Sequence, residues 1–241
     1  MTGYALALDT ATDRLSAALG APGEEVLERL VSGARRHAAE VAPVVEGLLA
    51  EAGVELGDVG EILISDGPGS FTGLRVAAAF VKALARVRNL PVYRASTLMV
   101  RAVGALQQGR VTVGSLSSAL RGEVYRAAYG RSDAGGVVEL AAPRTALISA
   151  AWSGEDPTAM VGDLPDESLA QAPWWGRVPY EGPPLGLPRA ASLLWLRQVG
   201  AAQKIEDVAG WEPNYGRPAE AQVRWEAAHG RSLSDSAGYR R

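Results

Sequence analysis

The chain has 241 residues, a formal charge of −3 and a pI near 5.5; 47% of its residues are hydrophobic and none is cysteine. That length suits one large or two small domains, and the apolar content supports a packed core, which excludes a disordered chain. Absence of Cys excludes disulfide frameworks, Cys-zinc and iron–sulfur sites and thiol nucleophiles, and it fits a reducing compartment. Of the 24 basic residues only Lys82 and Lys204 are lysine. This arginine skew suits a GC-rich genome as well as phosphate recognition, and the near-neutral balance argues against a surface devoted to nucleic acid. The first residues lack the pattern of a secretory leader, and no apolar run reaches the roughly 20 residues of a membrane span. A cytoplasmic protein with no membrane partner is expected.

In chain order, the pattern predicts three short strands, Tyr4–Leu8, Leu15–Gly20 and Glu25–Leu30, joined by tight turns as an antiparallel meander. A helix over Ala34–Ala52 follows: Val41, Val44, Val45, Leu48 and Leu49 recur at helical spacing, Pro43 interrupts them and Gly53 stops them. Glu61–Ser65 reads as a strand and Asp66–Gly73 as a turn-rich loop. Leu74–Leu90 is then a helix, Pro91–Ala95 a strand, and Thr97–Leu106 a helix with Ser96 as its N-cap. The order β-β-β-α-β-α-β-α implies a mixed sheet, as in an RNase H-like lobe of the actin-like and sugar-kinase-like proteins.

The order begins again after Arg110. Val111–Ser117, Glu123–Tyr129 and Val137–Ala141 read as strands, Thr145–Ala151 as a short helix, Ala159–Val161 as a strand and Pro188–Gly200 as a helix. The boundary falls in Gly104–Arg110, giving an N-terminal lobe over 1–105 and a second, degenerate lobe with a C-terminal helix and tail over 106–241. Residues 154–188, rich in Pro and Gly, read as a connection with little regular structure. Ala219–Ala228 reads as a helix before a mobile tail. Interleaved Trp and Arg near the C-terminus suit either an RNA-contacting edge or a solvated tail.

Three features carry chemistry. Gly67-Pro68-Gly69-Ser70-Phe71-Thr72-Gly73 follows a strand and opens a helix, a context in which backbone N–H groups hold anions, but it matches neither the P-loop nor the dinucleotide spacing and has no Lys. The alternative is a tight turn with Ser70 or Thr72 capping the helix. Asp9, Thr10 and Thr12 end the first strand, where they suit a hydrated Mg²⁺ with a phosphate or an ordinary polar turn. On the Leu74–Leu90 helix, Arg75, Lys82 and Arg86 share one stripe while apolar and small residues cover the rest. Such a helix is either buried on all sides or packed on its own sheet with the other face left for a partner chain. His37 and His229 are the only histidines and lack a second His one turn away, so no metal site is expected, and His37 reads as a polar residue on the helix surface. Glu123 and Tyr125 suit a cleft or solvent.

Together, Leu8-Asp9-Thr10-Ala11-Thr12, His37, the Gly67–Arg75 run, Ser96-Thr97-Leu98, Gly122-Glu123-Val124-Tyr125 and Glu212-Pro213-Asn214-Tyr215 resemble the bacterial TsaB (YeaZ) family. The resemblance implies α/β architecture in two RNase H-like lobes of the actin/Hsp70/sugar-kinase (ASKHA) superfamily. It implies a non-catalytic subunit for N6-threonylcarbamoyladenosine formation at position 37 of tRNAs reading ANN codons. Such a subunit binds the catalytic paralogue TsaD and helps recruit TsaE; it forms a homodimer when alone and meets tRNA through the complex. Since that family pairs through first-lobe helices, the resemblance favours the partner reading and points to Val76, Ala79, Phe80, Ala83 and Val87, with His37, Val41 and Val44, as the interface. Catalytic residues and tightly bound cofactors are not expected. The competing readings are an ATP/ADP-Mg enzyme built on Asp9, Thr10 and Thr12 and, more remotely, a metallopeptidase. The sequence departs from the family at Ser118, Ala119 and Leu120, where Asp-Ala-Arg is usual, and at Ala38 after His37; residues 154–188 match no family pattern.

Overall fold

The computed structural model describes residues 3–33, 36–119, 122–132, 135–150, 152, 157–216 and 228–230. The first half builds β1 (Tyr4–Asp9), β2 (Arg14–Gly20), β3 (Leu27–Ser32), α1 (His37–Ala52), β4 (Val59–Ser65), α2 (Phe71–Arg88), β5 (Val92–Ala95) and α3 (Thr97–Gln107). The second builds β6 (Thr112–Ser118), β7 (Glu123–Arg131), β8 (Val137–Leu147), β9 (Ala159–Gly162), α4 (Asp166–Leu169), β10 (Tyr180–Glu181), α5 (Ala190–Gln198) and β11 (Gln203–Ile205).

Two mixed sheets result. Their orders, β11-β5-β4-β1-β2-β3 and β10-β9-β6-β7-β8, share one plan: three antiparallel strands, then two parallel strands on the other side of the first, to which the first sheet adds β11 as an antiparallel edge. The predicted repeat of element order is therefore a repeat of strand order, and the fold is two RNase H-like lobes. The second sheet's strands run from Thr112 to Glu181. The expected second lobe over 106–241 needs correction after them, because the chain returns to the first sheet, where α5 packs on Ala7, Ala18 and Leu63 and β11 pairs with β5.

Period-two alternation places the cores. On β1 and β4, Leu6, Leu8, Ile62 and Ile64 face α1 and α2, while Ala7 and Leu63 face α3 and α5. Helix α3 sits between the lobes. Its Val100 and Val103 join the first lobe, and Leu98, Ala102 and Leu106 pack on Val113, Ala127 and Tyr129 of the second sheet. The second sheet's far face is covered mainly by chain outside long helices, anchored by Ile148, Trp152, Leu164, Leu169 and Trp174.

Several expectations need correction. The helix expected over Thr145–Ala151 is not formed by its described residues, 145–150. Strand β8 runs on to Leu147, because Thr145 and Leu147 pair with Tyr125 and Glu123 of β7, and a turn follows. The third strand lies two residues later than expected, its register fixed by Arg14↔Ser32 and Leu19↔Leu27. Helix α2 begins at Phe71, inside the predicted loop. Residues 154–188 do contain short elements, α4 and β10. The predicted helix over Ala219–Ala228 and the tail lie outside the described residues apart from 228–230, as does Leu120. Among the described residues no helix is long and apolar enough to cross a membrane.

Candidate functional site

Three amides of the glycine-rich loop are already bonded. The Ser70 amide donates to the Ala11 carbonyl at 2.7 Å, the Gly67 amide to Thr97 Oγ1 at 3.1 Å, and the Gly73 amide to Ser70 Oγ at 3.2 Å. A Cβ on Gly73 would overlap the Thr10 carbonyl, and one on Gly69 the Ala11 carbonyl. Gly69 and Gly73 thus let backbone meet backbone, and Ser70 caps α2 as the capping alternative expects. The Gly67, Ser70 and Gly73 amides are therefore not free to cradle a phosphate.

Asp9 is fully buried at the end of β1, accepting from the Ser65 hydroxyl and, at 3.2 Å, from the Ala11 amide. Burial raises its pKa, against the opposing pull of those bonds. Thr10 is also fully buried, its Oγ1 donating to the Gly73 carbonyl at 2.8 Å. Only Thr12 of this trio lines the nearby cleft, a cavity of about 440 Å³ between the lobes with Arg14, Ser70, Ser117, Ser118 and Asp163 on its walls. A hydrated divalent ion does not fit a carboxylate sealed from that cleft. Among the described residues no group of three or more His, Asp or Glu side chains is placed to hold a metal ion.

Helix α2 presents a different surface. Gly73 and Leu74 are buried, and Ala77, Ala78, Val81 and Ala85 are buried against the sheet and α1. Val76 and Phe80 are half-buried at the edge of that core, whereas Phe71, Arg75, Ala79, Ala83 and Val87 form an exposed ridge in steps of four. Val87 is 82% exposed and Phe71 39%. The reading of α2 as buried on all sides therefore fails, and one face is open. The α1 residues differ from expectation: Val41 and Val44 pack into the first-lobe core, and His37 is 7% exposed, so none of them lies on an open face. Helical spacing marked the side of α1 that meets its own sheet.

Sequence motifs far apart converge at the start of α2. The Asn214 amide donates to the Asp66 carbonyl at 2.7 Å, Tyr125 Oη to the Tyr215 carbonyl at 3.4 Å, and the Tyr215 ring lies 4.7 Å from that of Phe71. Lys82 Nζ reaches Glu212 at 3.1 Å. Tyr125 is buried at this junction and not on an open wall. Asp66, paired with Arg94 at 2.8 Å, has its pKa raised to about 6 because burial outweighs the guanidinium.

Arg101 escaped the sequence reading. Its side chain is 0% exposed, donating to the Gly186 carbonyl at 2.7 Å and pairing with Asp163 at 3.0 Å across the lobes. A lone charge between Val100 and Ala102 in an otherwise apolar helix was the available signal.

Comparison with known proteins follows these features. A family model described as TsaD, tRNA N6-adenosine threonylcarbamoyltransferase, matches residues 31–152. The Escherichia coli tRNA threonylcarbamoyladenosine biosynthesis protein TsaB is 37% identical over 131 residues, which is 54% of this chain and 56% of that protein. The Bacillus subtilis protein of the same name is 27% identical over 91% of this chain and 96% of its own. Thus the chain spans about half the length of the E. coli relative in alignment and nearly all of the B. subtilis one. A solved structure, YeaZ from Pseudomonas aeruginosa, superposes with a TM-score of 0.76 at 30% identity, covering 88% of this chain and 99% of that one. With its motifs, its strand plan and this near-complete structural match, the chain belongs to the TsaB (YeaZ) family.

Proposed function

We propose that this protein is a non-catalytic subunit for N6-threonylcarbamoyladenosine formation in tRNA, docking a TsaD-type transferase through the open ridge of α2. The observation that carries this is the ridge itself: Ala79 and Ala83 let a second helix approach closely, and Phe71 and Val87 flank them with exposed apolar surface. Burying a side chain such as Val or Phe contributes about 1.5–3 kcal/mol, which favours a partner there. The sealed Asp9 and the bonded amides of Gly67, Ser70 and Gly73 support the non-catalytic part of the reading. Recruitment of TsaE, and contact with tRNA through the complex, belong to the same proposal.

The test is the double variant Ala79→Arg/Ala83→Arg. Both positions are exposed, so the monomer should keep its circular dichroism spectrum and melting midpoint while the complex with the organism's TsaD disappears from size exclusion. A complex of unchanged elution would place the interface elsewhere. ATP-Mg binding to the isolated chain, measured by calorimetry and lost in Asp9→Ala, would instead support the nucleotide-enzyme reading.

A further inference from the structure

Arg14, the first residue of β2, is a buried cation without a counter-charge. It is 8% exposed, and burial pushes its pKa down. Its guanidinium donates one hydrogen bond, from Nη2 to the Pro188 carbonyl at 3.1 Å. Among the described residues Nε is buried without a partner, and no carboxylate pairs with the guanidinium. The two acids whose charge reaches it are engaged elsewhere. Asp9 accepts from the Ser65 hydroxyl and the Ala11 amide, and Glu28 pairs with Arg189 and accepts from the Ser16 hydroxyl. Arg101 and Arg189 add positive charge nearby. A buried charge that ends on a neutral carbonyl is costly, and folded proteins ordinarily pair it.

This side chain lines the cleft of about 440 Å³ between the lobes, within the size range of small-molecule sites. One wall of that cleft is held rigid. Arg101 and Arg14 donate to the carbonyls of Gly186 and Pro188, on either side of the lining residue Leu187. Gly186 itself is pressed against the Gly162 and Glu181 carbonyls, where a Cβ has no room. The other walls supply hydroxyls, from Ser32, Ser70, Ser117 and Ser118. Ser70 Oγ accepts from the Gly73 amide and keeps its proton to donate. Of the two acids lining the cleft, Asp163 is held by Arg101 at 3.0 Å and Asp13 is exposed to solvent. No aromatic side chain lines it, so a nucleobase would find no ring to stack on. The lining instead suits a compact ligand that brings negative charge to Arg14 and polar groups to the serines.

We propose that this cleft binds a small hydroxylated oxyanion, a carboxylate or a phosphate, whose negative group completes Arg14 and whose hydroxyls meet the serines. The site is separate from α2, so it stands or falls apart from the docking reading. The full chain is titrated with D-glycerate, inorganic phosphate and glycerol by calorimetry, at low ionic strength with EDTA present, while its arginine Nε–H cross-peaks are followed by NMR. D-Glycerate or phosphate should saturate with a Kd of about 1 mM or tighter and shift the Arg14 cross-peak; the tighter of the two names the anionic group. Glycerol should bind at least tenfold more weakly. Arg14→Met should lose at least tenfold in affinity, whereas Arg110→Met, an exposed change outside the cleft, should bind like the parent. Ser118→Asp changes an exposed residue of the cleft wall to the acid usual at that position. It should keep the parent's circular dichroism spectrum and also weaken binding at least tenfold, and it carries the test if Arg14→Met fails to fold. The proposal is overturned if neither anion saturates, if glycerol binds as well as the anions, if the Arg14 cross-peak stays in place, or if Arg14→Met or Ser118→Asp binds like the parent. Arg14 is then only a structural tie between β2 and Pro188.

Discussion

The two lobes share a strand plan and differ in what covers it. Helices lie on both faces of the first sheet, α1 and α2 on one, α3 and α5 on the other. The second sheet has α3 on one face and, on the other, a covering held by Trp152, Trp174, Leu164 and Leu169 with only the single turn of α4. The same topology is thus completed once by repetitive backbone hydrogen bonding and once by a few large side chains. A helix-covered face distributes its stability over many small contacts, whereas the second lobe's far face depends on individual anchors. The difference also separates roles: the helical lobe has an outer helix with a face to spare.

The sharpest way to break this comparison is Trp174→Ala. At 2% exposure, Trp174 anchors a cluster confined to the second lobe, and its truncation should cost about 3–5 kcal/mol. Hydrogen exchange should accelerate in β6, β7 and β9 while amides of β1 and β4 keep their protection. Equal acceleration in both sheets would show that the lobes open as one unit.

A smaller effect belongs to Asp66, at the end of β4 where the Asn214 amide ties on. Its buried carboxyl keeps its proton up to about pH 6, whereas the unfolded chain releases it near 3.8. The folded state therefore binds more protons between these values, so stability falls as pH rises from about 4 to about 6 and stays lower above. In Asp66→Asn that component vanishes. The variant should gain on the order of 2–3 kcal/mol on the parent between pH 4 and pH 7 in urea titrations, from the size of the shift. A stability difference independent of pH would contradict the assignment.

The smallest effect expected is at Gly104 in α3, the helix shared by the two lobes. It is exposed, and a Cβ there would meet nothing within 4 Å. Gly104→Ala should stabilise by about 0.5–1 kcal/mol through helix propensity, seen as a rise in the denaturation midpoint without a change in slope. A loss would mean that the junction needs the glycine's freedom.

The contrast between lobes also explains what the sequence reveals. The three helices α1, α2 and α3 each carry an apolar repeat that faces their own sheet, and each is readable. Helical periodicity, however, identifies the face a helix shows to its own core. Val41 and Val44 stand out on α1 because they are core residues, while Ala79 and Ala83, the open positions of α2, are too small to mark either face. The covering of the second lobe has no period, since Trp152, Leu164 and Trp174 belong to no common helix or strand. The last strand segment of β8 looks helical locally and is held in place by β7, some twenty residues earlier. Glu212 and Tyr215 were legible only as a motif. Their contact with α2 spans more than 120 residues of chain, and no local pattern encodes it.

The return of α5 and β11 to the first sheet has a consequence for how the protein is born. Residues 4–95 contain every other strand of that sheet, yet Ala7, Ala18 and Leu63 on its inner face stay uncovered by α5 until Ala190–Gln198 has left the ribosome. At about 5–20 residues per second, the nascent first sheet waits several seconds with an open apolar face and an unpaired edge at β5. The second sheet, whose strands all lie between Thr112 and Glu181, needs no such delay. Translation therefore sets the order in which the lobes mature: the lobe synthesised first is the one finished last.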